Sequence, residues 1–218
     1  MKQNKRKNVL RIIVFSAFLI LIGCNPPGQN YGDFYKNVEE HFDYSQYNHL
    51  PETSIDLLKY YFKLIPSNKT KENGSCGTFL ITQTTKKYLI ELEKKLKNTS
   101  VGIYEPNDKC ILTVNLFSID TAGKIFLEYY FKHCGKKYIP IPNFLIRLGH
   151  LPLVEYSEKG FLTKDFDLYV IEAEQGEFIE NNYLTNGVGL PDNWKNGYSK
   201  GIALNMKSNV AIYWFEIW

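Results

Sequence analysis

The chain is poor in the patterns that announce chemistry. Its four histidines, His41, His49, His133 and His150, never stand at HxxxH or HExxH spacing, and no two of its four cysteines stand at CxxC. Nothing in the spacing therefore signals a metal centre. GxSxG is absent, and with it the strand–helix elbow of a serine hydrolase. Glycine-rich phosphate loops are absent too, and no cofactor is expected. Long apolar runs are also missing. The segment Ile12 to Ile22 is apolar except for Ser16, but a helix of that length covers roughly 16–17 Å against a hydrocarbon core of roughly 30 Å. An excess of charge of one sign is missing too. The formal net charge is +3, and residues 1–23 hold five of the 26 basic residues and no acid. Without them 21 basic residues face 23 acidic ones, a net of −2. That balance removes the compositional argument for nucleic-acid binding, which needs a clustered positive surface, so no nucleic-acid partner is expected.

What is present at the start is an ordered leader. "MKQNKRKN" supplies Lys2, Lys5, Arg6 and Lys7, Arg11 follows, and the short apolar run comes next. A basic head, a short apolar stretch and a small residue before a cut is the secretory pattern. The run ends in Leu21-Ile22-Gly23-Cys24, which resembles the lipobox of bacterial lipoproteins. The resemblance covers residues 1–24. It implies cleavage before Cys24, diacylation of that thiol, and a membrane partner reached through lipid on Cys24. Two or three acyl chains hold a protein to a bilayer, where one chain alone is marginal. The expected organisation is a signal peptide over 1–23, a lipidated cysteine and tether over 24–33 ("NPPGQNYGD" after Cys24), and one domain over 34–218. The expected place is the cell envelope, outside the cytoplasm, with the periplasmic side favoured because no acidic run follows Cys24.

Three cysteines remain in a compartment that permits disulfides: Cys76, Cys110 and Cys134. A hairpin turning at Thr121-Ala122-Gly123 puts Asp120 opposite Lys124 and, in the same register, Cys110 opposite Cys134. Facing Cβ atoms roughly 4.5–5.5 Å apart suit a bridge after small adjustment. The expected disulfide is Cys110–Cys134, with Cys76 a buried thiol.

Phe34, Val38 and Phe42 stand four apart and predict a short helix. In "PETSIDLLKYYFKLIP", Ile55, Leu58, Tyr61, Phe62 and Ile65 fall on one helical face, and Pro66 ends the run. Residues 76–82 predict a strand. Leu89, Leu92 and Leu96 predict a surface helix over 84–98. From Cys110 onward the chain reads as β. Pro140 and Pro142 confine their segment to an edge or an irregular stretch. Residues 166–173 predict a strand. The tail predicts a hairpin turning at Lys207-Ser208-Asn209, with Val210 to Phe215 a central strand. Helices early and strands late give an α+β fold, a mostly antiparallel sheet with two or three N-terminal helices on one face.

Candidate chemistry is sparse. His133 and Cys134 are neighbours, and on a strand they would point to opposite faces. Cys76, in "NGSCGTF", is the alternative nucleophile, with a strand-start cysteine as the plainer reading. Asp165, Asp167, Glu172 and Glu174 surround the strand at 166–173. Two of them at roughly 5–9 Å would suit glycoside hydrolysis, although alternating charge more commonly marks a strand's wet face. The segment "GLPDNWKNGYSKGIAL" (189–204) holds Trp194, Tyr198, Lys195 and Lys200. They form either a binding platform for sugar or peptide, or a lid packed down on the sheet. The tail through "IYWFEIW" resembles the C-terminal end of uncharacterised bacterial lipoproteins, a likeness that carries no activity with it.

The sequence thus points to a lipid-anchored envelope protein whose domain binds a protein or glycan without catalysis. The alternatives are an envelope hydrolase using Cys76 or the carboxylates near 165–174, and an immunity or inhibitor lipoprotein presenting the loop 189–201.

Overall fold

A computed structural model describes residues 31–51, 56–65, 75–105, 112, 114, 128, 131–134, 139–142, 165–180, 183–184, 187 and 190–218. The leader, Cys24, Cys110 and His150 lie outside them. The fold is α+β. Helix α1 (Tyr31–His41) and the single turn α2 (Tyr44–Tyr47) come first, then strands β1 (Asp56–Ile65) and β2 (Ser75–Gln83), helix α3 (Lys86–Thr99) and the short β3 (Gly102–Tyr104). Strands β4 (Phe166–Gln175), β5 (Gly197–Asn205) and β6 (Val210–Ile217) follow. They form one sheet of order β1-β2-β6-β5-β4-β3, antiparallel at every junction.

The tail hairpin forms as its pattern predicts. Asn205 Oδ1 accepts from the backbone N–H of Lys207 and Ser208, and Asn209 takes a left-handed φ of 56° to close the turn. β6 lies between β2 and β5, and from Ala211 to Ile217 it is buried. Continuous apolarity is what a strand with both faces covered requires.

The sheet has two packed faces. On one, Tyr213, Phe215, Ile202 and Leu80 meet Phe34, Val38 and Phe42 of the α1 arm and Leu89 and Leu96 of α3. The four-residue spacing in α1 and the Leu89–Leu96 stripe are the faces read from sequence. Thr85 caps α3, accepting from the Tyr88 N–H at 3.2 Å. On the other face Trp214, Phe79, Leu168 and Val170 form a second cluster with Ile141. Ile141 makes an isolated bridge to Leu112 and Val114, which suits a position between two prolines. A third cluster, at the sheet's end, joins Leu112, Val114, Cys134, Leu190, Trp194 and Trp218.

Two sequence expectations are overturned. The segment expected as a helix over 55–65 is strand β1, paired from Asp56 opposite Gln83 to Ile65 opposite Ser75 with one register shift at Leu58. Its apolar spacing fits a helix, but Lys59, Tyr61 and Lys63 also alternate with Tyr60, Phe62 and Leu64. Tyr and Phe favour strands, and an available partner edge decides such short ambiguous runs. The second strand of the hairpin expected over 110–134 also fails, because Glu128 and Phe131 to His133 are helical and Cys134 sits in a turn, while the expected turn at 121–123 and Cys110 lie outside the described residues. Leu127, Tyr130 and Cys134 stand at helical spacing in that segment. The register that set Cys110 opposite Cys134 therefore does not exist. Cys134 is nonetheless disulfide-bonded, and its partner lies outside the described residues.

Candidate functional site

The structure places three of the four expected binding residues inside the protein. Trp194 ends a 3-10 turn (Asp192–Trp194), is 7 % exposed, and lies 6.0 Å from the Trp218 ring. Its carbonyl accepts from Trp218 Nε1 at 2.9 Å. Tyr198 is 5 % exposed and stands edge-on to Phe178. Lys200 is buried, and Lys195 alone is exposed. The aromatic platform expected at 194–200 is therefore corrected to the packed lid. Large rings flanking a sheet bury more area there than solvent contact would repay. The loop does not project as an inhibitor's would, since Leu190 and Trp194 hold it against the sheet.

Lys200 instead anchors a polar cluster. A register shift between Val170 and Glu172 brings Glu172 directly opposite Lys200. Without that bulge Ile171 would occupy the place. The Lys200 ammonium pairs with the Glu172 carboxylate at 2.6 Å and donates to the Ser45 carbonyl at 2.5 Å and to Asn48 Oδ1 at 3.3 Å. Tyr198 donates its hydroxyl to the same carboxylate. Burial alone would raise the Glu172 carboxyl, but the hydrogen bonds from Lys200 and Tyr198 outweigh it and hold it below its ordinary value. Burial first, then Glu172, push the Tyr198 phenol up. His49 donates from Nε2 to the Trp214 carbonyl at 2.8 Å, so its Nδ1 is the acceptor atom, buried and without a hydrogen-bond partner. Burial chiefly, aided by Lys200, lowers the ring to about 3. It stays neutral at ordinary pH.

The cluster's effect is mechanical. Lys200 fastens Ser45, inside the α2 turn, and Asn48, its C-cap, onto the middle of the sheet. Above that turn opens a cleft of about 290 Å³ lined by Tyr35, Glu39, Tyr44, Tyr47, Asn48 and Leu50. Asn48 belongs to both structures. Tyr44 and Tyr47 stand 5.5 Å apart at 86°, forming a corner, and Tyr44 is 65 % exposed. Tyr35 is fixed by a hydrogen bond from its hydroxyl to the Pro51 carbonyl. The sequence reading missed this cleft. Its signal was the recurrence of tyrosine at 35, 44 and 47 in an acidic stretch with Asp33, Glu39, Glu40 and Asp43 against one lysine, Lys36.

The other candidates have separate surroundings. Cys76 is fully buried, its Sγ donating to the Tyr183 carbonyl at 3.9 Å, which denies it a nucleophile's access. Asp165 pairs with Lys207 at 2.5 Å, Glu172 is held as described, and Glu174 faces solvent. Among the described residues no group of three or more His, Cys, Asp or Glu is placed to hold a metal, and no helix is long and apolar enough to cross a membrane. Comparison of the chain with family models, curated proteins and solved structures finds no match.

Proposed function

We propose that the protein is a lipid-anchored, extracytoplasmic binding protein of the cell envelope, held through Cys24 and presenting the Tyr35–Tyr44–Tyr47 cleft to a protein or glycan partner. The helices are taken to cover one face of the sheet and to carry the cleft on its outer side. The observation that supports binding is the cleft itself. Two rings at right angles, one of them largely exposed, open to solvent on a turn that the buried Lys200 ammonium fastens to the sheet. Exposed, immobilised aromatics give contact area at little entropic cost. The anchor reading rests on the ordered leader and "LIGC". Confinement to a membrane surface raises effective concentration, so modest affinity suffices. The binding reading is preferred to a Cys76 hydrolase because that thiol is buried, and to an inhibitor because Trp194 is packed down; a hydrolase using the carboxylates near 165–174 stays the alternative.

The test is metabolic labelling of cells with tritiated palmitate, followed by detergent phase partition. The wild-type chain should carry label and enter the detergent phase, while Cys24→Ser should do neither. Label on both variants, or on neither, overturns the anchor.

A further inference from the structure

We propose that the cleft takes a primary alkylammonium group, the chemistry of a lysine side chain offered by a protein partner. The inference rests on the binding reading above and not on the anchor. Four observations favour a cation over a sugar. First, Tyr44 and Tyr47 pack edge to face at 86°, which leaves the two planes crossed and Tyr44 largely exposed. A cation needs only one exposed ring face, whereas crossed rings offer a pyranose no broad flat stacking surface. Second, Glu39 lines the cleft and has no ion-pair partner among the described residues, while its neighbour Glu40 pairs with Lys36 at 3.9 Å. Third, the arm from Tyr31 to Asn48 holds four acids and one lysine, which attracts a cation along its approach. Fourth, the Lys200 ammonium beneath the cleft is already offset by Glu172 at 2.6 Å and does not repel an incoming charge as a bare ammonium would. Glu39 also acts on the cleft's own ring. Tyr47 titrates above its ordinary value through burial and then through the Glu39 charge, so the carboxylate's field reaches into the space a ligand would fill. The volume of about 290 Å³ receives a butylammonium tip with its stem.

The experiment is an NMR titration of the full chain, kept in non-ionic detergent micelles, with n-butylammonium, n-butanol and N-acetylglucosamine as separate probes. Glu39→Gln and Tyr44→Ala change exposed side chains, and unchanged melting temperatures verify that both variants stay folded. Butylammonium should bind to the wild type, and each variant should weaken it by about two- to fivefold, the effect of losing one charge or one ring from a largely exposed cation site. Raising salt should weaken it as well. Equal binding of n-butanol, or butylammonium binding that neither variant changes, overturns the inference. N-acetylglucosamine binding that depends on Tyr44, without butylammonium binding, overturns it in favour of a glycan and leaves the binding reading standing. No binding of any probe overturns both.

Discussion

His49 shows how one side chain sets the protein's response to acid. Its ring is held neutral, with the folded value lowered to about 3 against an ordinary 6.5. As pH falls below 6.5 the unfolded chain takes up a proton that the folded chain refuses, so stability drops through the window from 6.5 to 3, by at most about 1.4 kcal/mol per pH unit. Glu172 acts in the same direction lower down. Its folded value is depressed, so its contribution is present above the ordinary carboxylate range and is lost as pH falls through the folded value. His49→Gln keeps a donor for the Trp214 carbonyl and removes the titration. Its melting temperature should fall by less than half as much as the wild type's between pH 7 and pH 5. Parallel curves for the two proteins would refute the assignment. The ion pair is asymmetric, because the Lys200 side chain is 3 % exposed and the Glu172 side chain 41 %. Glu172→Ala strands a buried ammonium and should cost about 3 kcal/mol, the low end for such a loss because water reaches the carboxylate's side. Lys200→Met removes the buried charge and leaves a carboxylate that water solvates, so it should cost less. Urea unfolding of both variants gives the order, and the reverse order would contradict this account of the cluster.

At the scale of elements, close approach explains why β5 carries glycine at 201. A Cβ there would stand 2.2 Å from the Tyr169 carbonyl oxygen and 2.5 Å from the Trp214 ring. One contact is backbone and the other a fully buried ring, so neither can yield. Gly201→Ala should cost at least about 3 kcal/mol, at the upper end of overpacking penalties, read as a lowered midpoint in urea. Thr85→Ala, by contrast, removes one cap from α3 and should cost about 1 kcal/mol. The elements also show what was legible in the sequence. α3, β2, β4 and the β5–β6 hairpin could be read because one period dominates each and turn or cap residues bound it. β1 could not, since Tyr60, Phe62 and Leu64 satisfy a strand while Leu58, Tyr61, Phe62 and Ile65 satisfy a helix. Only pairing with β2 separates them. The binding site was misplaced for a related reason. Composition identifies an aromatic segment but not whether its rings point inward, and Trp194 packs against Trp218, a residue 24 positions away. The Lys200–Glu172 pair was invisible because a bulge, not spacing, sets it.

The whole molecule combines a tightly paired centre with a lighter covering arm. β6 is hydrogen-bonded to β2 on one side and β5 on the other, and its side chains are buried on both faces. The arm of α1 and α2 meets that sheet through Phe34, Val38, Phe42 and Leu50, and through the polar contacts that end on Lys200 and on the Trp214 carbonyl. Such a construction has two levels of opening. Exchange of β5 and β6 amides needs the whole sheet to come apart, whereas exchange in 31–50 needs only the arm to lift. Lys200→Met cuts the contacts to Ser45 and Asn48 while leaving the sheet's ladders whole. In hydrogen exchange followed by mass spectrometry, residues 31–50 should therefore lose protection at least tenfold. The β5–β6 peptides should slow or speed only by the small change in global stability. Uniform acceleration across all peptides would mean that the arm and sheet open together. The cleft would then owe its shape to the core as a whole, and not to the ammonium that fastens its floor.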